Sequence, residues 1–260
     1  MRSDNLRAKK AKRKKTGIIL LLFIIVLILS AVIFVLKDYS PFARSAKFVS
    51  MEHIKENTSE ACAFVNNIAG LIQSGKITES GIDYKSVFEG SVIMGDSITE
   101  GLKVYGFLKE DQVYCEIGGS VMNGSDIVRQ AAMTKPKTAF FSYGTNDLGM
   151  YSGNAEAFTE KYSSVIKTFM EISPDTEIYV NSIAKPSDAK IASGGYFYKW
   201  EEFNEAIKDM CDSLGIEYID NTEILKEHAD LYAGDGIHVS TTYYPYWMDN
   251  MIRKGKLLSS

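Results

Sequence analysis

The chain has 260 residues, of which 45% are hydrophobic and 24% charged, values that are ordinary for one good-sized globular domain with appendages. Its net charge of −4 is uneven, because residues 1–16 hold eight of the 29 basic residues and one of the 33 acidic ones, which leaves 21 basic and 32 acidic residues elsewhere. That remainder has a net charge of −11, which repels nucleic acid, and three cysteines are too few for a disulfide framework, so we expect neither a nucleic-acid partner nor a disulfide-stapled fold.

The N-terminal segment predicts a membrane anchor. Residues 17–36 are twenty consecutive positions in which Ser30 is the only polar residue, a length that crosses a bilayer core as a helix. The basic residues 1–16 would keep this end in the cytoplasm. A cleaved signal peptide is the alternative, but its apolar core is normally shorter, and Ala43-Arg44-Ser45 is a poor cleavage site. We therefore expect a single-pass protein of the cell membrane with an extracytoplasmic domain.

Residues 37–85 are interpreted as a juxtamembrane linker followed by a helical segment. Pro41 and the few apolar residues after Phe42 indicate a linker, and apolar residues recur at helical spacing over 51–73. Residues 74–84 are polar and predict a loop. The main domain is then expected to cover residues 86–260.

Strands and helices alternate along this domain. Strand-like runs occur at 91–94, 113–117, 138–143, 177–183 and 216–219. Helical patterns occur at 101–108, 125–133, 155–172, 198–214 and 241–252. Short apolar strands separated by helices indicate a parallel sheet with both faces covered. Right-handed crossovers then predict an α/β fold, a three-layer α/β/α sandwich.

Ser97 lies where the first of these strands passes into a helix, within Gly95-Asp96-Ser97. In an open parallel sheet, ligands bind at such points, and a serine there has an exposed hydroxyl and a backbone N–H at a positive helix end. The G-x-S-x-G motif of α/β-hydrolases is absent, since Thr99 stands where its second glycine would be. Serine is also a common N-cap, so this stretch alone leaves both a nucleophile and a helix cap open.

A nucleophilic serine needs a base, and the chain has three histidines. His53 precedes the domain and His228 lies in a charged stretch, whereas His238 follows the last predicted strand in a loop that contains glycine. Asp235, three residues earlier, is close enough in a tight turn to bond the Nδ1 of His238 and fix its tautomer. An Asp-Gly turn beside a surface histidine remains the alternative.

Two further segments could stabilise an oxyanion. Gly144-Thr145-Asn146-Asp147 follows the third strand, where the Asn146 amide could point over Ser97. Gly118-Gly119-Ser120 follows the second strand, and a glycine there can present its backbone N–H without an obstructing side chain. Taken singly, the first segment could be a simple turn and the second a flexible loop.

Together these four segments resemble the four sequence blocks of the SGNH/GDSL hydrolases and occur in the same order. The resemblance implies Ser97 as nucleophile, His238 as base and Asp235 as its orienting carboxylate. It also implies an oxyanion hole made by the N–H of Ser97, the N–H of Gly118 and the side chain of Asn146, with Gly118 preferred over Gly119. The fold it implies has a five-stranded parallel sheet of flavodoxin-like order. We expect no cofactor and no metal ion.

The expected function is a membrane-anchored serine esterase that removes small acyl groups, acetyl foremost, from cell-wall or other glycans. One alternative is an O-acyltransferase that uses the same residues and needs a membrane partner to supply acyl groups. Another is an anchored binding domain without activity. Aromatic residues crowd 196–200 and 243–247, and part of the second group, which closely follows His238, could border the cleft and stack on a sugar. The alternative is that these residues pack in the core. The three cysteines, Cys62, Cys115 and Cys211, are expected to be buried free thiols.

Overall fold

The computed structural model describes residues 77–78 and 81–257. The predicted anchor at 17–36, the helical segment at 51–73, and the residues His53 and Cys62 lie outside this part of the chain. Within residues 77–78 and 81–257, no helix has the length and apolar character needed to cross a bilayer. The anchor therefore stays a prediction from the sequence.

A short hairpin and a five-stranded sheet contain the strands of the described residues. The hairpin pairs β1 (Ile77–Thr78) with β2 (Gly81–Ile82). The sheet is formed by β3 (Ser91–Gly95), β4 (Val113–Cys115), β5 (Thr138–Ser142), β6 (Glu177–Asn181) and β7 (Glu217–Ile219). Its order is β4-β3-β5-β6-β7, and every neighbouring pair is parallel. This arrangement confirms the predicted five-stranded parallel sheet of flavodoxin-like order.

Helices follow the strands along the chain. They are α1 (Tyr84–Val87), α2 (Ser97–Val104), α3 (Ser125–Met133), α4 (Asp147–Met150), α5 (Ala155–Ile172), α6 (Asp188–Ala192), α7 (Trp200–Leu214), α8 (Thr222–Glu227) and α9 (Tyr244–Lys254). α3 and α5 have the predicted bounds. The sequence did not predict the short helices α1, α4 and α6.

The two faces of the sheet pack against different helices. Along β3, Val92 and Met94 belong to a core with α3, α5 and α7, whereas Ile93 belongs to a core with α2 and α9. Phe141 and Phe140 of β5 divide in the same way, because successive side chains of a strand point to opposite faces. The three-layer α/β/α sandwich is therefore confirmed.

Local sequence explains where the long helix α5 lies. The side chain of Asn154 accepts the backbone N–H of Ala157 at 3.0 Å, which caps the N-terminus of the helix. Its buried residues recur every three or four positions, and one of them, Phe158, stacks on Phe203 of α7 with ring centroids 5.0 Å apart. This contact joins the two helices on one side of the sheet.

Several predicted boundaries differ from the structure. α2 begins at Ser97 rather than at 101, because Asp96 caps it. β4 ends at Cys115 rather than at 117, because the N–H of Gly119 donates to the carbonyl of Glu116 and turns the chain. The predicted loop at 74–84 contains the hairpin, and the buried Tyr84 reaches Asp249 Oδ1 with its hydroxyl at 3.2 Å.

The two described cysteines, Cys115 and Cys211, are free thiols, as predicted. Cys211 is buried as expected, but Cys115 is only partly buried because it ends the edge strand β4.

Candidate active site

Ser97 is the first residue of α2, immediately past the carboxyl end of β3. The cap of this helix is Asp96, whose Oδ1 accepts the N–H of Ile98 at 2.9 Å. The hydroxyl of Ser97 is thus left for another partner, and its Oγ lies 3.0 Å from Nε2 of His238. The interpretation of Ser97 as a helix cap is therefore wrong, because Asp96 caps the helix.

His238 lies beside Ser97 in the loop after α8, and backbone contacts hold the two ends of this loop together. Tyr232 and Val239 form an antiparallel bridge, and the N–H of Ala233 donates to the carbonyl of His238 at 2.7 Å. The hydroxyl of Tyr232 also donates to the carbonyl of Lys185 at 2.7 Å, which ties the loop to the chain beyond β6. His228 instead follows α8, with its ring 4.8 Å from that of Tyr246.

Asp235 organises the turn that carries His238. Its Oδ1 accepts the N–H groups of Ile237 at 3.0 Å and His238 at 2.9 Å, and its Oδ2 lies 2.5 Å from Nδ1 of His238. Partial burial would raise the pKa of Asp235, but the hydrogen bonds from the His238 ring and from the two N–H groups outweigh it and lower the pKa to about 2. Because an ionised carboxylate only accepts hydrogen bonds, Nδ1 carries a proton, and in the neutral ring Nε2 presents its lone pair to Ser97.

The loop at Gly118 and Gly119 lies against the turn between β3 and α2. A Cβ built on Gly119 would be 2.8 Å from the carbonyl oxygen of Glu116 and 3.1 Å from that of Gly95, so this position has no room for a side chain. Gly118 has a φ of 72° and open space around it. The N–H of Gly119 is already bonded to Glu116, whereas among the described residues the N–H of Gly118 has no hydrogen-bond partner.

Asn146 contacts the same loop from the end of β5. Its Nδ2 donates to the carbonyl of Gly119 at 3.0 Å, which uses one of its two N–H bonds. The N–H of Ser97 is one of the N-terminal groups that an α-helix leaves without an internal partner. Asn146 is therefore joined to the glycine loop by a hydrogen bond, and this loop lies against the turn that carries Ser97. Each predicted oxyanion residue retains an N–H that could donate a hydrogen bond to a ligand oxygen.

Two buried carboxyl groups lie behind these residues, and the sequence did not single them out. Burial raises the pKa of Asp96 to about 6, although the N–H groups of Ile98 and Thr99 donate to it. Burial also raises the pKa of Asp147 to about 7, and the nearby charge of Asp96 adds to the shift. Oδ1 of Asp147 accepts the N–H of Val121 at 3.1 Å, so it holds the far end of the glycine loop. A capping signal at Asp96 could have been found from its position before the helix.

A cleft of about 220 Å³ opens beside Ser97. One face of α2 contributes four of its lining residues: Ser97, Glu100, Gly101 and Val104. The others are Tyr105, which follows this helix, three residues of the loop that carries the base, Ala233, His238 and Val239, and Tyr244 of α9. No signal in the sequence pointed to Glu100 or Tyr105, because their position beside the site depends on how distant segments pack.

The aromatic clusters mostly pack in the core. Tyr243, Tyr244 and Trp247 are buried, as is Trp200, whereas Tyr196 and Tyr198 are exposed. Tyr244 alone among them borders the cleft, and its hydroxyl donates to the carbonyl of Ile98 at 3.0 Å. Within the described part of the chain, no group of three or more His, Cys, Asp and Glu side chains is arranged to hold a metal ion.

The sequence model of the GDSL-like Lipase/Acylhydrolase family matches residues 93–244, which is more than half of the chain. The chain belongs to this family. As a GDSL-like acylhydrolase it is a serine hydrolase that acts on esters, and the matched residues include Ser97, Asn146, Asp235 and His238. A comparison with curated proteins gives no match.

Solved structures share the fold of this GDSL-like acylhydrolase at low sequence identity. A carbohydrate esterase of family 3 from Talaromyces cellulolyticus has a TM-score of 0.50 and 17% identity, over 65% of this chain and 96% of that one. The family 3 carbohydrate esterase of Clostridium thermocellum has a TM-score of 0.51 and 17% identity, over 65% and 96%. A lipase/acylhydrolase from Enterococcus faecalis has a TM-score of 0.50 and 14% identity, over 64% and 96%. At these identities the likeness establishes the fold.

Proposed function

We propose that this GDSL-like acylhydrolase removes small acyl groups, acetyl foremost, from cell-wall or other extracytoplasmic glycans, with Ser97, His238 and Asp235 as its catalytic triad. The observation that carries the proposal is the continuous chain from Oγ of Ser97 through the imidazole of His238 to the carboxylate of Asp235. A serine hydroxyl is a weak nucleophile until a base takes its proton, and this chain supplies the base in its correct tautomer.

In the acylation step, Oγ of Ser97 attacks the ester carbonyl carbon while Nε2 of His238 accepts the hydroxyl proton. Negative charge moves to the carbonyl oxygen, which the N–H groups of Ser97, Gly118 and Asn146 would stabilise. The tetrahedral intermediate then collapses, the bond to the alcohol oxygen breaks, and His238 returns the proton to the departing alcohol. Asp235 remains ionised throughout and stabilises the imidazolium.

In the deacylation step, a water molecule takes the place of the alcohol. His238 accepts one water proton as the water oxygen attacks the acyl carbon, and the same proton returns to Oγ when the acyl group leaves as a carboxylic acid. The side chains of His238 and Asp235 are 49% and 47% exposed, so water can reach the base directly. This exposure favours hydrolysis. Transfer to a sugar hydroxyl would need an acceptor that excludes water.

Two observations direct the choice of substrate. The cleft beside Ser97 is about 220 Å³, smaller than the roughly 300–1,000 Å³ of sites for drug-sized ligands, so it has room for a small group only. Two of the similar solved structures are of carbohydrate esterases. Acetylated sugars are therefore the substrates to test first.

The test is hydrolysis of an acetylated sugar by the full chain and by Ser97→Ala. We expect the variant to lose the activity while keeping its melting temperature, because the hydroxyl supplies the covalent bond of the intermediate. A serine-directed phosphonate should label Ser97 in the unchanged chain, and Ser193→Ala, which alters an exposed serine, serves as the matched control. An active Ser97→Ala variant, or a label on another serine, would overturn the assignment.

The same experiment separates the alternatives. An acyltransferase would release little acetate in water but would acetylate a sugar added as acceptor, and a binding domain would hold the acetylated sugar without turnover.

We also propose that residues 17–36 anchor the chain in the cell membrane with residues 1–16 in the cytoplasm, as their apolar and basic patterns predict. Protease added to protoplasts should then digest the chain from about residue 37 onward while sparing the N-terminal tail. Complete protection of the domain would place it in the cytoplasm and remove the wall-glycan substrate.

A further inference from the structure

We infer that the cleft lined by α2 and the His238 loop is the subsite for the alcohol half of the ester, and that it binds one neutral sugar ring through Tyr105 and Glu100. The alcohol subsite presupposes the esterase function proposed above, and it adds the part of the site that would select the glycan.

The position of the cleft relative to the reacting atoms assigns it to the alcohol. His238 must protonate the departing alcohol oxygen, so the alcohol half of the ester lies on the side of Ser97 that His238 occupies. The carbonyl oxygen points instead to the oxyanion donors. The cleft is lined by Ser97 and His238 but by neither Gly118 nor Asn146, so it extends from the side on which the alcohol departs.

Tyr105 supplies a surface on which a sugar ring can stack. Its side chain lines the cleft and is 50% exposed, and its ring centroid lies 5.5 Å from that of Tyr244. Tyr244 is itself held by its hydrogen bond to Ile98, and Gly101 makes room for it, since a Cβ there would lie 1.9 Å from the Tyr244 hydroxyl. The electron-rich face of a preordered aromatic ring attracts the C–H groups of a sugar at a low cost in conformational entropy.

Glu100 supplies the polar contact. It lies one helical turn before Val104 on the same face of α2, and among the described residues it is the only acidic one that lines the cleft. A carboxylate accepts hydrogen bonds from hydroxyl groups, and such charge-assisted bonds are stronger than neutral ones. None of the described residues that line the cleft is a lysine or arginine, so the carboxylate of Glu100 would repel an anionic alcohol such as a phosphorylated sugar. An aliphatic alcohol would leave that carboxylate without a partner.

The test compares two esters that carry the same acetyl group, ethyl acetate and the 6-O-acetyl ester of methyl β-glucoside, with the full chain. The kcat/KM value for the sugar ester divided by that for ethyl acetate reports the contribution of the sugar alone. We expect Tyr105→Ala to lower this ratio about tenfold, the scale of one aromatic contact, and Tyr105→Phe to preserve it. Glu100→Gln should lower it about threefold or more, since a charged acceptor is lost.

The matched control is Tyr198→Ala, because Tyr198 is 58% exposed and does not line the cleft. Its ratio should equal that of the unchanged chain. A ratio that Tyr105→Ala and Glu100→Gln leave unaltered would overturn the alcohol subsite while the esterase function stands. A change in the preference between ethyl acetate and ethyl butyrate, with the sugar ratio constant, would assign the cleft to the acyl group and also overturn it.

If the unchanged chain hydrolyses neither ester, the esterase function fails and the subsite is decided by binding alone. Calorimetric titration with methyl β-glucoside should then show binding that Tyr105→Ala weakens and Tyr198→Ala does not. Absence of binding, or equal affinities in the two variants, would overturn the subsite.

Discussion

The Oγ of Ser97 lies 3.0 Å from Nε2 of His238, although 141 positions separate the two residues in the chain. The serine is positioned by the end of β3 and the first turn of α2, and the histidine by a loop closed through the bridge between Tyr232 and Val239. Because the side chain of His238 is about half exposed, its orientation depends on hydrogen bonds more than on packing. The residues that hold this loop should therefore affect catalysis.

Asp235 is the most informative of these residues. It makes three hydrogen bonds, two of them to backbone N–H groups, so it both orients the ring of His238 and shapes the turn. Asp235→Asn keeps an oxygen for the two N–H groups, whereas Asp235→Ala removes all three bonds. We expect His238→Ala to lose the most activity, Asp235→Ala less, and Asp235→Asn to keep measurable activity that rises toward higher pH, where the imidazole is neutral.

The measurement is kcat/KM against pH on a small acetyl ester for the three variants. Equal losses for His238→Ala and Asp235→Ala would show that the carboxylate is indispensable. An unaffected Asp235→Ala variant would mean that a dyad of Ser97 and His238 suffices.

Asn146 should act on the transition state. Asn146→Ala removes one oxyanion donor and should lower kcat by about a hundredfold or more with little change in KM. Asn146→Asp is the matched control, because it preserves the size of the side chain but cannot donate from an ionised carboxylate, and it should be at least as impaired. A normal kcat with a raised KM in Asn146→Ala would identify a substrate-binding residue instead.

The two glycines of the loop should respond differently to a methyl group. In Gly119→Ala the new Cβ would meet the carbonyl oxygens of Glu116 and Gly95, so the loop must move away from Ser97, at a cost of about 1–3 kcal/mol. In Gly118→Ala the space is open, and only the positive φ costs about 1–2 kcal/mol. We expect Gly119→Ala to lose the larger share of kcat and at least as much stability in urea unfolding. The opposite order in kcat would show that the loop tolerates a shift at Gly119.

The sequence predicted the fold well wherever local pattern and layer packing agree. The α5 prediction was correct at both ends because Asn154 caps a long amphipathic pattern. The prediction for α2 placed its start four residues late, because the helical pattern was recognised only from 101, whereas the cap at Asp96 lets the helix begin directly after β3. The end of β4 was missed since one hydrogen bond, from Gly119 to Glu116, turns the chain.

At the site, the motif residues were identifiable because each lies at a strand end or in a glycine-bearing loop. The cleft was not identifiable, since Tyr105 and Tyr244 come together only when α9 packs against α2. The burial of Asp147 depends in the same way on the loop that its side chain holds through Val121.

Buried carboxyl groups should make the protein less stable as the pH rises. Burial raises the pKa of Asp96 to about 6 and those of Asp147 and Asp249 to about 7, above the ordinary value of 3.8. The folded chain therefore holds protons that the unfolded chain releases, so the stabilisation is complete below about pH 4 and is lost progressively up to about pH 7. Asp235 has the opposite shift, but its window lies between about 2 and 3.8, outside this range.

Asp147→Asn tests this dependence. The amide retains an oxygen for the N–H of Val121 but cannot titrate, so the fall in the free energy of unfolding between about pH 4.5 and about pH 7.5 should be smaller than in the unchanged chain. The measurement is urea unfolding at several pH values across that range, with Asp111→Asn at an exposed position as the matched control. If the free energies of Asp147→Asn and of the unchanged chain fall in parallel, Asp147 is already ionised in the folded chain at low pH. Its contact with Val121 would then be that of a charged acceptor throughout.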